Sequence, residues 1–171
     1  MALSTNINKS SSSNFELVFP KIPTESTLAA TDELTINIYS TIIPGVTITM
    51  EEGKWMGATS KFAAAPAVFE PWNVSFTVDS NFYNWKVLYK WLMYINNNKN
   101  KFAELKSNYA VDATLRVVDN FQKEVFRIFF IDLWITSLNE VSLSYREGEQ
   151  NLECTASFEY DSFELKEEYY K

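Results

Sequence analysis

The segment FEPWNVSFTVDSNFYNWKVLYKWL, residues 69–92, contains the change of sequence period that decides the fold class. In its first half apolar and polar residues alternate, with Trp72, Val74, Phe76 and Val78 in one phase and Asn73, Ser75 and Thr77 in the other. That alternation predicts a strand with one buried face. In its second half the apolar residues recur at helical spacing, at Phe82, Trp85, Leu88, Tyr89 and Leu92. With Asp79 or Ser80 as the cap of its first turn, the segment predicts one helix at about 80–96.

Period-two alternation recurs elsewhere, at residues 15–19, 34–42, 111–117 and 141–160. The last of these predicts a hairpin, with strands at 141–145 and 152–160 around the turn EGEQN. Residues 126–134 are apolar in both phases, which predicts a strand covered on both sides. The chain therefore reads as a single, mainly β domain at 15–171 that follows a flexible arm at 1–14.

A long connection, PGVTITMEEGKWMGATSKFAAAPAVFEP at residues 44–71, separates two of these strands. We expect a long loop here, although VTITM could form a strand inside it. Connections of this length are often functional, and large apolar side chains on a loop invite a partner. The alternative is a loop folded back over its own core. The candidate contact residues are Gly45, Gly53, Trp55, Met56, Gly57 and Phe62.

The composition argues against an enzyme. The chain has no histidine, one cysteine (Cys154) and four glycines, which excludes Ser–His and Cys–His nucleophile systems and phosphate-cradling glycine loops. We expect no metal and no cofactor. A net charge of -7 repels phosphate backbones and so argues against groove-reading of nucleic acid. No apolar stretch is long enough for a transmembrane helix, and the first residues lack the pattern of a secretory signal.

The hairpin expected at 141–160 has one apolar and one polar face. Cys154 falls in the apolar phase, where a thiol behaves as a small hydrophobic group. The polar face is small, hydroxylated and acidic, with Ser142, Ser144, Glu153, Thr155, Ser157 and Glu159 as its candidate functional residues. This face is either an ordinary solvated sheet surface or a wall to which a passing polyanion would not adhere.

Three blocks of the sequence together resemble a known family. The strand-to-helix block at 69–92 is similar to the central block of contractile phage tail tube proteins. The block LWITSLNEVSLSYREGEQNLECTASFEYDSF, residues 133–163, resembles that family's C-terminal signature, and IYSTIIPGVTI, residues 38–48, resembles its strand before a Pro-containing turn. Each block alone is a weak motif, and it is their order and spacing that carry the resemblance.

The resemblance implies a small β-barrel or two-sheet sandwich with one flanking helix. It implies a structural, non-enzymatic protein of the virion tail, assembled in the host cytoplasm. Six protomers would form a ring through pairing of sheet edges, and rings would stack into a tube inside a contractile sheath, in contact with baseplate or initiator and terminator proteins. The loop at 44–71 would contact the neighbouring ring. The polar face would line the lumen, where DNA passes during genome ejection without specific binding.

Other assignments remain open at this point. The same fold serves related injection systems, such as an Hcp-like ring or a pyocin tube, and tail-completion or baseplate proteins. From a different class, a monomeric β-barrel could bind a small ligand or a sugar through its tryptophans. A carboxylate-dependent hydrolase is the remotest alternative, because the sequence contains no recognisable catalytic site.

Overall fold

The computed structural model describes residues 15–19, 22–23, 28–29, 37–96, 105–121, 123–144 and 151–167. Within them the strands are β1 (Phe15–Val18), β2 (Ile22–Pro23), β3 (Leu28–Ala29), β4 (Ile38–Thr41), β5 (Val46–Trp55), β6 (Ala58–Phe69), β7 (Trp72–Thr77), β8 (Val111–Val118), β9 (Glu124–Leu138), β10 (Glu153–Glu159) and β11 (Ser162–Glu167). The helices are α1 (Tyr83–Ile95) and α2 (Lys106–Tyr109). The mainly β prediction with one substantial helix is confirmed. The arm expected at 1–14 lies outside the described residues.

Two antiparallel sheets share the long strand β9. The first sheet has the order β1–β8–β9–β11, and it uses the first half of β9. The second sheet has the order β9–β10–β7–β4, and it uses the last residues of β9, from Trp134 to Leu138. Two smaller two-stranded sheets, β2–β3 and β5–β6, accompany them. The expectation of a small two-sheet domain is therefore confirmed.

Strand β9 changes its buried side where it passes from one sheet to the other. Ile128 and Phe130 are buried before this point and Leu133 and Ile135 after it, so the buried phase moves from even to odd positions. Asp132 lies between them with a φ of 55°, and the pairing with β8 is irregular at the same place. A bulge of this kind adds a residue to one strand and bends it. The fully buried phase therefore switches along the strand. None of residues 126–135 is exposed, so the strand is covered on both sides, fully on one and partly on the other.

Aromatic side chains fill the core between the sheets. Trp72 is fully buried and stacks on Phe130 with ring centroids 4.3 Å apart. Phe19 and Phe158 contact the same indole, at centroid distances of 5.9 Å and 5.6 Å. The indole Nε1 donates a hydrogen bond of 2.8 Å to Thr41 Oγ1, which satisfies its buried N–H group. This bond ties the edge strand β4 to the centre of the core.

Helix α1 covers the core beside the second sheet. Its first turn is capped by Asp79, whose Oδ1 accepts a hydrogen bond of 2.7 Å from Tyr83 N, as the sequence predicts. The buried stripe comprises Asn84, Val87, Leu88 and Trp91. It is rotated from the expected one, because Tyr89 is exposed and Trp85 only half-buried.

An ion-pair network crosses the first sheet. Arg116 lies between two carboxylates, with Nη1 2.5 Å from Glu16 Oε2 and Nε 2.9 Å from Glu124 Oε2. Glu124 also pairs with Arg127. The hydrogen bond from Arg127, followed by that from Arg116, holds the pKa of Glu124 below its usual value, although burial opposes this effect. The network therefore links β1, β8 and β9 by charge.

Two elements differ from the sequence-based expectation. Residues 46–69 form a paired hairpin, β5–β6, so the long loop expected at about 44–71 is wrong. The strand expected at 141–145 is also absent from the described residues 141–144, and 145–150 lie outside them. Strand β10 instead pairs with β7 on one side and with the end of β9 on the other.

Candidate functional surfaces

The outward side of the second sheet is a continuous polar surface, which we name the polar face. It follows from strict alternation, because Trp72, Val74 and Phe76 on β7 and Cys154, Ala156 and Phe158 on β10 all point into the core. The residues between them point the other way. The polar face comprises Tyr39 and Ser40 on β4, Asn73, Ser75 and Thr77 on β7, Glu153, Thr155, Ser157 and Glu159 on β10, and Ser137 on β9.

Hydrogen bonds between side chains of different strands occupy the polar face. Ser75 Oγ and Thr155 Oγ1 lie 2.9 Å apart and share a hydrogen bond. Ser157 Oγ donates to Asn73 Oδ1 over 2.6 Å, and the Tyr39 hydroxyl donates to Glu153 Oε2 over 2.9 Å. Donors used within the face are not offered to a molecule passing over it.

The charge of the polar face is negative. Among the ten residues named above, the only ionisable groups besides Tyr39 are the carboxylates Glu153 and Glu159. Trp134 pairs with Glu159 and bounds this side of the sheet at its β9 end, where Lys106 Nζ lies 4.7 Å from the centroid of the indole ring. Burial, followed by the hydrogen bond to Glu153, raises the pKa of Tyr39, so its hydroxyl stays neutral at ordinary pH. Phosphate groups are repelled by such a surface.

The structure brings together four of the six residues expected to line a lumen. Glu153, Thr155, Ser157 and Glu159 share the polar face, whereas Ser142 and Ser144 are exposed on the segment after β9, outside any strand. Sequence reasoning did not include Tyr39, Asn73 and Ser75 among the candidate residues of this face. The alternation in residues 72–78 was a signal for two of them, because it put Asn73 and Ser75 on the polar side of their strand.

The hairpin β5–β6 ends in a tight two-residue turn. Trp55 pairs with Ala58, and the two residues between them, Met56 and Gly57, have φ of 44° and 83°. Two consecutive positive φ values correspond to a type I′ turn, whose twist matches that of the flanking strands. Met56 sits at the apex and is 92% exposed, in a backbone conformation that side chains other than Asn and Asp rarely adopt.

Side chains pack closely against two further glycines of the hairpin, where a Cβ atom would lie. A Cβ at Gly53 would lie 2.6 Å from Phe62 Cε2, so the ring of Phe62 covers this glycine from the opposite strand. A Cβ at Gly45 would lie 3.0 Å from the carboxylate of Glu70, at the base where Glu70 N donates to Gly45 O. Five of the six residues expected to form a contact loop are therefore part of the turn, the cross-strand packing or the base of the hairpin, and the sixth, Trp55, flanks the turn.

Both sides of the hairpin expose apolar side chains. Val46, Ile48 and Met50 lie on one side, and Phe62 and Val68 lie on the other; all five are exposed. An isolated two-stranded hairpin is at best marginally stable in water. A clustered apolar surface on such an element is typical of a protein–protein contact. Its base is fixed to the domain, because Phe69 packs on Phe163 at a centroid distance of 5.4 Å.

Neither the cysteine nor the carboxylates of the described residues form a reactive-thiol or metal site. Cys154 is buried, and burial raises the pKa of its thiol, as expected for an inert core cysteine. Among the described residues no cluster of three or more His, Cys, Asp or Glu side chains could hold a metal ion. No helix in the same residues is long and apolar enough to cross a membrane.

Comparisons with known proteins agree with this geometry. The family model described as phage tail tube protein matches residues 10–166. The tail tube terminator protein of Enterobacteria phage T4 is 29% identical over 179 residues, which cover 98% of this chain and 94% of the relative.

Two solved structures have a similar fold. A chain in the tube-terminating cap of the anti-feeding prophage superimposes with a TM-score of 0.64 and 11% identity, covering 98% of this chain and 95% of the other. A chain in the sheath–tube complex of the extracellular contractile injection system PVC superimposes with a TM-score of 0.63 and 11% identity, covering 97% and 99%.

Proposed function

Because the chain belongs to the phage tail tube protein family, we propose that its copies form six-membered rings of the inner tube in a contractile virion tail. The observation that carries this proposal is the polar face, whose side chains are acidic, hydroxylated or, at Asn73, an amide, with three hydrogen bonds among them. Such a wall suits a channel that DNA crosses during genome ejection without adhering. Glu153, Thr155, Ser157 and Glu159 would line it. The role is structural, with assembly in the host cytoplasm.

The strand count of the second sheet supports ring closure through its edges. The four strands alternate in direction, so the outer edges, β4 and the Trp134–Leu138 end of β9, run antiparallel to each other. Copies related by rotation would bring the β4 edge of one beside the β9 edge of the next. That junction would again be antiparallel, and a closed ring would leave no exposed edge.

The hairpin is the proposed contact with a neighbouring ring. Its apex carries Met56 and Gly57, Phe62 covers Gly53 on one side, and Trp55 closes the turn by pairing with Ala58. Gly45 at the base allows the strand to pass close to Glu70. Burying the exposed apolar side chains on a second ring would stabilise both the hairpin and the stack, at roughly 25 cal/mol per Å² of apolar surface. Sheath, baseplate and tube-end proteins are the further expected partners.

Within the tube we propose the position of the terminator ring. The T4 relative that aligns over 98% of this chain is a tail tube terminator protein. A repeating tube subunit is the second candidate. The hairpin favours this alternative, because apolar groups on both of its sides would suit a ring that is stacked from both directions.

Negative-stain electron microscopy of the purified protein, alone and mixed with preformed tubes from the same tail, separates the two positions. A terminator gives single rings alone and caps that stop elongation of the tubes. A tube subunit gives long hollow tubes alone. A protein that remains monomeric at high concentration, with and without added tubes, would contradict both positions.

A further inference from the structure

The exposed side of α1 combines lysines with aromatic rings, in a chain whose net charge is -7. These side chains lie opposite the buried stripe of the helix, and the helix sequence contains no Asp or Glu. We name this side the basic aromatic face, and it comprises Tyr83, Lys86, Tyr89 and Lys90, with half-buried Trp85 at its margin. The polar face and the hairpin do not use any of these residues.

The charges on this face are unfavourable for an isolated helix. Lys86 and Lys90 are one turn apart, and like charges at this spacing destabilise a helix. Lys86 also lies close to the helix N-terminus, where the macrodipole disfavours a cation. Its Nζ donates a hydrogen bond of 2.9 Å to the Asn81 carbonyl, which positions the ammonium group without neutralising it. A nearby anion would reduce both the repulsion between the two lysines and the unfavourable interaction of Lys86 with the helix dipole.

The aromatic part of the face is flat and is held by stacking. The rings of Trp85 and Tyr89 lie almost parallel, with an interplanar angle of 8° and centroids 5.2 Å apart. The indole N–H of Trp85 is buried but has no hydrogen-bond partner within the described part of the chain. Ring stacking, and not a hydrogen bond to the indole N–H, therefore positions this pair. The pair offers an apolar platform beside the two ammonium groups.

The basic aromatic face lies on the far side of the protein from the polar face. Trp91, on the buried side of α1, contacts Phe158 with ring centroids 6.0 Å apart. Phe158 points into the core, and its neighbours on β10, Ser157 and Glu159, point to the opposite side of the sheet. A molecule bound to the outer side of α1 would therefore leave the polar face open.

We propose that the basic aromatic face docks an acidic protein surface that also carries apolar side chains. Carboxylates of that partner pair with Lys86 and Lys90, and its aliphatic groups pack on the Trp85–Tyr89 platform. A protein is favoured over a nucleic acid because the face offers only two cations, too few to neutralise a run of phosphates, beside an apolar platform that suits aliphatic side chains. Ion pairs at a partly desolvated interface add specificity and association rate.

The test measures binding of a fluorescently labelled, helical peptide rich in Glu and Leu by fluorescence anisotropy. The expected result is binding to the native protein and none for the same peptide with Lys in place of Glu. Lys86→Glu with Lys90→Glu weakens binding at least tenfold, and Tyr89→Ser weakens it several-fold. The matched control, Lys123→Glu with Lys166→Glu, makes an equal charge change at exposed positions just before β9 and on β11, outside α1, and stays within twofold.

Several outcomes would overturn the docking proposal. These are an acidic peptide that does not bind, equal weakening by the control, or tighter binding of a single-stranded oligonucleotide. A change in the protein's own oligomeric state in Lys86→Glu with Lys90→Glu would also overturn it, since the face would then join copies of this chain. If that variant does not fold, Lys86→Gln with Lys90→Gln provides the same comparison. Electron microscopy of the same variants tests ring formation separately.

Discussion

The hydrogen bond between Trp72 and Thr41 offers a direct test of how the edge strand is fixed to the core. Trp72 is fully buried, and its Nε1 donates to Thr41 Oγ1 over 2.8 Å. The same hydroxyl donates to the Asn73 carbonyl over 3.2 Å. Thr41→Val keeps the shape of the side chain but leaves the indole N–H without its acceptor. Leaving a buried donor unsatisfied costs about 1–3 kcal/mol.

This cost is large enough to measure by thermal unfolding. A loss of about 2 kcal/mol corresponds to a fall in Tm of about 4–8 °C for a chain of this size. Urea denaturation at a fixed protomer concentration gives the free energy of unfolding, because assembly would otherwise change the apparent stability. Thr47→Val, at an exposed position on the hairpin, is the matched control and should stay within about 0.5 kcal/mol.

A double-mutant cycle separates the hydrogen bond from packing. Trp72→Phe removes the donor together with part of the ring, so Thr41→Val should then add no more than about 0.5 kcal/mol. The expected coupling energy is therefore about 1–2 kcal/mol. If Thr41→Val costs less than about 0.5 kcal/mol alone, or if the two costs simply add, the hydrogen bond does not anchor β4.

Three further predictions concern the ion-pair network and the two proposed surfaces. Glu124→Gln should lower the free energy of unfolding at pH 7 by about 1–2 kcal/mol. The folded-state pKa of Glu124 is lowered, so this difference should shrink as the pH falls below the ordinary value of 4.5, and an unchanged difference at acidic pH would contradict the assignment. Phe62→Ser should leave the free energy of unfolding within about 0.5 kcal/mol but reduce ring stacking seen by electron microscopy, unlike Thr59→Ser on the same hairpin. Stacking of normal extent would remove Phe62 from the contact. Glu153→Lys with Glu159→Lys should make assembled protein retain DNA in a gel-shift assay, whereas Glu140→Lys with Glu164→Lys should not. Equal retention by both pairs would place Glu153 and Glu159 outside the channel.

The strand-to-helix block could be predicted from the sequence because its periods are local. Alternation in residues 72–78 depends only on one buried face, and Asp79 acts as a cap within the same segment. The sequence did not determine which face of α1 is buried, because aromatic residues occur all around the helix. Only packing against the sheets shows that Trp91 and Val87 are buried and that Tyr89 is exposed.

The hairpin β5–β6 was harder to predict because its sequence departs from ordinary strand chemistry. Alanines and Pro66 fill much of β6, and these residues are depleted in strands. Pro66 is tolerated because it lies in the irregular stretch between the pairs Ile48–Ala67 and Met50–Ala63. The turn has Met56 where a type I′ turn usually has Asn or Asp. Gly57 was therefore the only residue in the sequence that indicated this turn.

The polar face could be predicted in part. Its β10 residues follow from alternation, but its other strands come from distant parts of the chain. The sequence predicted that β10 pairs with a strand at 141–145, close to it in sequence. In the structure β10 instead lies between β7 and the end of β9. The apolar residues in both phases of 126–134 do not distinguish a strand covered on both sides from one that changes sheets at Asp132.

Cross-linking across the proposed ring junction tests the central claim most directly. In a Cys154→Ala background, Ser40→Cys and Ser137→Cys place thiols on the two outer edges of the second sheet. Three strand spacings, about 14 Å, separate these edges within one copy. A bismaleimide of shorter reach can therefore join only different copies. The account predicts a ladder of covalent species that ends at six chains. Assembled protein that gives no cross-link, or none beyond a dimer, would contradict it.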